Sequence, residues 1–142
     1  MVSTLDIKNL FDKYGEEFDF TGGTSPEQIK LLENELNVSF STDYKWFLEN
    51  YGSGGVLGID ILGIAKNDIS TIGNTTKRLR NEYGLDSNLY VLEDCDAFFY
   101  CGNSQNEKIY YWDRDGGIGP IEANDFLTFL KERISGMAED FE

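Results

Sequence analysis

Three runs of β-branched and aromatic residues follow one another between Asn88 and Gly117: "NLYVLEDCD", "AFFYCGN" and "KIYYWDRDGG". Such side chains suit a pleated, half-buried surface, and the Asp, Asn and Gly between the runs supply turn chemistry. The region is therefore expected to form an antiparallel meander. The following "GIGPIEAN" can add an edge strand at most, because Pro120 has no N–H to donate to a ladder.

Helical spacing surrounds this block. Thr4 to Tyr14, carrying Leu5, Leu10 and Phe11, reads as a short helix. In "TGGTSPEQIK" Ser25 can cap a second helix, Pro26 fits its first position and Gln28 completes a capping-box spacing. Ile29, Leu32 and Leu36 then recur at helical intervals, and the helix ends near Asn37. Ser41 can cap a third, in which Tyr44, Phe47, Leu48 and Tyr51 share one stripe before Gly52 closes it. "VLGIDILGIA" alternates well enough for one or two short strands. Asn67 or Asp68 then starts a helix with Ile69, Ile72, Thr76, Leu79 and Tyr83 on one face, stopped by Gly84. Asn124 caps a last helix whose stripe is Phe126, Phe129, Leu130, Ile134, Met137 and Phe141.

This order implies an α+β fold: a mainly antiparallel twisted sheet with N-terminal helices, one inserted helix and a closing C-terminal helix. No repeat or linker interrupts it, so residues 1–142 read as a single domain.

"YKWFLENYGSGG" raises a separate question, since glycine-rich loops can cradle phosphate. In those fingerprints the loop follows a strand and opens a helix, so that helical N–H groups face the anion. Here the order is helix, glycines, strand. Leu57 occupies the place of the third glycine, and no Gly-Lys-Ser/Thr follows. The glycines read instead as a helix C-cap and a tight entry into the sheet.

Charge and composition exclude more. Asp and Glu total 26 against 12 Lys and Arg, a net charge of −14, with no histidine. Such a surface disfavours nucleic acid and anionic membranes and favours basic partners. Only "TKRLR", Thr76 to Arg80, concentrates positive charge, and it reads as a salt-bridge donor face. No run approaches the roughly 20 apolar residues that cross a bilayer. The N-terminal residues lack the pattern of a signal peptide, so the expected location is cytoplasmic. Cys95 and Cys101 read as free thiols of a reducing compartment.

Without histidine, His-dependent triads and the usual zinc sets cannot form. The two cysteines make no CxxC motif. "DRDGG" resembles the start of a calcium loop, but its glycine and terminal Glu are misplaced. Glu93, Asp94, Asp96 and Asp113 could supply a glycosidase carboxylate pair, yet among 26 acids such pairs arise freely. No metal or cofactor is expected.

The helix carrying Tyr44, Trp46, Phe47 and Leu48, the Gly54-Gly55 pair and the strand ending Trp112-Asp113 resemble the SUKH superfamily. It includes the Smi/Knr cell-wall assembly regulators of yeast and many bacterial immunity proteins. The likeness runs from Ser25 to the final helix and is to bacterial members of Bacillus type. It implies an α+β fold, no catalytic activity and a toxin partner, often a nuclease. Many members carry a histidine shortly after the Trp-Asp pair, where this chain has Arg114 and Asp115.

The resulting expectation is an immunity protein that neutralises a basic cognate toxin by stoichiometric binding. The alternatives are a non-toxin regulatory scaffold and, third, a carboxylate-dependent hydrolase. The partner-binding candidates are Glu93, Asp94 and Asp96 on one turn with Asp113 and Asp115 on a neighbouring strand end, and Trp46. Trp46 lies about 200° round the helix from Tyr44, off the core stripe, and can either pack or serve as an exposed anchor. Asp113, ending a strand at a turn, is placed to bind backbone N–H groups.

Overall fold

The three aromatic runs occupy the first three strands of a four-stranded antiparallel sheet. This computed structural model describes residues 1–67 and 69–140. In chain order the elements are α1 (Thr4–Tyr14), α2 (Pro26–Leu36), α3 (Thr42–Asn50), α4 (Thr71–Tyr83), β1 (Leu89–Asp94), β2 (Phe99–Asn103), β3 (Ile109–Asp113), β4 (Gly117–Ala123) and α5 (Phe126–Asp140). The sheet order is β1-β2-β3-β4, the expected meander, with the Pro120 segment at its edge. The fold is α+β and closes on a C-terminal helix.

Register decides which helix meets which face. Paired residues share a face, so Val91, Cys101 and Tyr110 lie on one side with Phe99 and Trp112. Glu93, Tyr100 and Tyr111 are paired on the other. α4 packs along β1, where the Thr76 hydroxyl accepts the Val91 N–H at 3.0 Å. The second face meets α3 and α5. Tyr44 lies 5.8 Å from the Tyr90 ring and 5.2 Å from Phe126, and Phe129 lies 5.1 Å from Tyr100.

The outer edge of β1 is covered without a regular strand. Ile61 bridges Glu93, Gly54 bridges Ile61, and Phe20 bridges Gly54, so the sheet continues as single antiparallel rungs. Leu62 donates to the Leu92 carbonyl at 2.8 Å, at the bulge where β1 shifts register. The expected strands of "VLGIDILGIA" are thus absent. Leu57 and Gly58 both turn at positive φ, and the backbone groups that follow serve several different segments. The opposite edge, β4, is blunted by Pro120 and by two register shifts.

Several helix details differ from the sequence reading. α1 has the expected span, but it buries Ile7 and Phe11 and leaves Leu5 61% exposed. α4 starts at Thr71, capped by Ser70, whose Oγ accepts the Gly73 N–H at 2.9 Å; Asn67 is not the cap. Ile69 and Tyr83 are exposed, so the buried face of α4 is Ile72, Gly73, Thr76 and Leu79. At α5 the first-turn acceptor is Asp125, bonded by the Thr128 N–H at 2.8 Å, and not Asn124. Asp68 and Phe141 lie outside the described residues. The Ser25 cap, Asn37 as the left-handed end of α2 and Gly84 as the left-handed end of α4 are as expected.

The glycines after α3 have a packing reason. Gly52, at φ +77°, donates to the Phe47 and Leu48 carbonyls at 3.2 and 3.1 Å. A Cβ there would stand 2.1 Å from the Gly22 carbonyl oxygen, and one at Gly54 would stand 2.0 Å from that of Asp19. Backbone lies directly against backbone, which only glycine permits. Gly84 shares the positive φ, but a Cβ there meets nothing within 4 Å. Gly52→Val should therefore cost more than about 3 kcal/mol in urea unfolding, and Gly84→Ala only about 1 kcal/mol. Equal losses would show that φ alone, and not the backbone crossing, requires Gly52.

Candidate partner-binding surface

The β1–β2 and β3–β4 turns leave the same end of the sheet. Asp94 pairs with Phe99, Phe99 with Trp112, and Asp113 with Gly117, so one β2 strand separates the two acidic turns. Asp94, Asp96 and Asp115 are exposed there.

Each turn is built by its first carboxylate. Asp94 Oδ1 accepts the Asp96 N–H at 2.8 Å, a side-chain mimic of a backbone turn that leaves Asp96 at φ +70°. Asp113 Oδ1 accepts the N–H groups of Gly116 and Asp115 at 2.5 and 3.0 Å, and its Oδ2 accepts the Tyr111 hydroxyl at 3.1 Å. The Gly116 bond first, then Tyr111, hold the Asp113 carboxyl below its ordinary range. Asp113 is thus the turn former that its place at a strand end suggested.

Two arginines stand among these acids. Arg78 approaches Asp94 at 3.9 Å, and Arg114 lies over the rings of Tyr83 and Phe99 at 5.1 and 5.6 Å. In the basic segment of α4, Lys77 pairs with Glu35 and Arg78 with Asp94 as expected of a salt-bridge face, whereas Arg80 donates to the backbone carbonyls of Leu36, Ser87 and Leu89.

Glu93 does not belong to this exposed surface. It is 5% exposed and turned toward α5, where Arg133 Nε and Nη2 donate to its two oxygens at 2.9 and 2.5 Å. The arrangement is a two-point, charge-assisted clamp between β1 and α5. The Arg133 guanidinium also lies 5.6 Å from the Tyr100 ring centre. The strand's alternation separates Glu93 from its neighbour Asp94, and its partner is forty residues away in sequence. No local pattern marks that pairing.

Trp46 is half-buried, packed against the core, and meets Tyr51 edge-on at 5.6 Å. Sequence reasoning also passed over Phe18, which is 91% exposed at φ +68° between Glu17 and Asp19. Both thiols are free, and burial, followed by the Glu93 charge, pushes Cys95 up to about 12. Burial pushes Cys101 up as well. Among the described residues no group of three or more Cys, Asp or Glu is arranged to hold a metal ion. No described helix is long and apolar enough to cross a membrane.

Against known families, the SUKH_5 model, described as SMI1-KNR4 cell-wall, matches residues 7–135. The matched span begins within α1, ends within α5 and contains both acidic turns and the Glu93–Arg133 clamp.

Two measurements check this geometry. Arg133→Met strands a buried carboxylate and should lower unfolding stability by roughly 2–4 kcal/mol, while Asp96→Asn stays within about 0.5 kcal/mol. Similar small losses would reduce the clamp to an ordinary surface pair. At pH 8 a thiol titrating near 12 is thiolate only about one part in 10⁴. Native protein should therefore resist iodoacetamide at Cys95, and rapid labelling without unfolding would contradict that environment.

Proposed function

The chain belongs to the SUKH family of SMI1-KNR4 cell-wall proteins, and on that basis we propose that it is an immunity protein. It neutralises a cognate, basic toxin by forming a stoichiometric complex, in the cytoplasm, and it catalyses no reaction. The observation that carries the basic-partner part of this reading is the acidic sheet end. Two turns, each braced by its own aspartate, present Asp94, Asp96 and Asp115 together on a chain of net charge −14.

The physical role of such a surface is steering. Exposed carboxylates raise the encounter rate with a cationic protein more than they deepen the final affinity. Bracing matters because a turn already fixed by Asx hydrogen bonds loses little conformational freedom on binding. Asp113 contributes mainly by holding its turn, and Glu93 by clamping β1 to α5. Trp46 packs α3 against Tyr51 and the core and makes no partner contact in this reading.

The reading expects a toxin gene beside this one, and stopped-flow association with its product tests it. The wild-type rate should approach ~10⁸ M⁻¹s⁻¹ at low salt and fall steeply as the screening length shortens toward about 8 Å at physiological ionic strength. Replacing Asp94, Asp96 and Asp115 together by Asn should slow association several-fold more than replacing Glu27, Glu49 and Glu82 by Gln. Equal slowing would mean that net charge alone acts. Protection should saturate at a fixed molar ratio, and catalytic, substoichiometric protection would overturn the binding mechanism.

A further inference from the structure

A groove of about 330 Å³ runs between α5 and the sheet face that carries Tyr100. Its apolar floor is Tyr100, packed edge-on against the buried Phe129, with Met137 beside it. Glu122 of β4 and Glu132 of α5 stand on its rim, both exposed, and neither has an ion-pair partner among the described residues. The one cation lining it, Arg133, is already held by both oxygens of Glu93.

Gly136 forms part of the wall and is the telling residue. It sits inside a fifteen-residue helix, where glycine is the poorest ordinary helix former. No internal contact requires it, because a Cβ there would meet nothing within 4 Å. The missing side chain leaves the groove open without serving the packing of the fold.

An apolar floor under an uncompensated acidic rim suits a side chain that is apolar along its stem and cationic at its tip. The volume is at the small end of ligand pockets, room for one side chain and not for a folded element. We propose that the groove receives an arginine side chain from a protein partner. Its methylene stem lies on Tyr100 and Met137, and its guanidinium meets the Glu122 and Glu132 carboxylates. The inference rests on the reading that this protein binds a basic protein, and it assigns a second contact away from the turn carboxylates.

The test needs no toxin, so it stands or falls separately from the immunity reading. The full chain is titrated with the capped peptide Gly-Leu-Arg-Leu-Gly at low salt and followed by two-dimensional NMR. Saturable shifts of the Gly136 and Tyr100 amides, with a Kd of order millimolar, are expected. The same peptide with citrulline for arginine should not saturate. Glu122→Gln combined with Glu132→Gln should weaken binding at least about fivefold. Gly136→Leu should raise Tm by about 3 °C through helix propensity, yet weaken binding at least about fivefold by filling the groove. Unsaturable shifts scattered over the acidic surface, equal binding of the citrulline peptide, or undiminished affinity in Gly136→Leu would each overturn the proposal. A Gly136→Leu protein of lowered Tm would do so too, since the glycine would then have a structural role.

Discussion

The buried hydroxyl of Tyr44 donates to the Leu62 carbonyl at 2.6 Å, and the N–H of Leu62 donates to Leu92 of β1 at 2.8 Å. A hydroxyl taken out of water must find a partner, and here the partner is a backbone group of the irregular segment beside the sheet. One residue thereby ties α3 to β1. Around the same ring, Phe40, Phe47, Tyr90 and Phe126 lie within 5.2–6.2 Å, so loop, helix, strand and C-terminal helix meet at a single side chain. The glycines after α3 serve that junction. They let the 52–55 backbone pass between the 19–22 and 61–64 segments at contact distance, which brings Leu62 under Tyr44.

The acids of the chain divide into two roles according to what surrounds them. Glu93 lies in a nearly dry site, where its charge is tolerated because Arg133 meets it at two points. The turn aspartates remain in water, where a charge contributes little to stability and acts chiefly at a distance. A partner approaching the sheet end meets two kinds of carboxylate: Asp94 and Asp113 close their turns, while Asp96 and Asp115 make no side-chain hydrogen bond or ion pair among the described residues. Asp96 and Asp115 can therefore change without loosening the turns that join the strands.

The candidate site was partly legible in the sequence. Asp94, Asp96 and Asp115 fall on turns because Asp within such aromatic runs can close a turn with its own carboxylate, and the structure places them there. By sequence Glu93 groups with them, because proximity along the chain cannot tell the two faces of a strand apart without a register. The bulge at Leu92 helps set that register, and Arg133 supplies the reason for the burial. The Tyr100–Phe129 groove had no sequence signature, since its lining comes from β2, β4 and α5.

By itself the sequence determined the order of elements and most of their ends. Caps at Ser25, Ser41 and Gly84, the i, i+3, i+4 stripe of α3 and the turn-separated aromatic runs act over a few residues. Short-range hydrogen bonds and periodic burial suffice to fix such features. Tertiary structure decided what depends on partners distant in the chain. It resolved "VLGIDILGIA" into single bridges instead of strands, because its backbone groups serve several segments at once. It turned Ile7, not Leu5, into the core of α1, and placed Glu93 against Arg133. In each case the deciding energy is desolvation against a particular neighbour, and that neighbour exists only once the chain has folded.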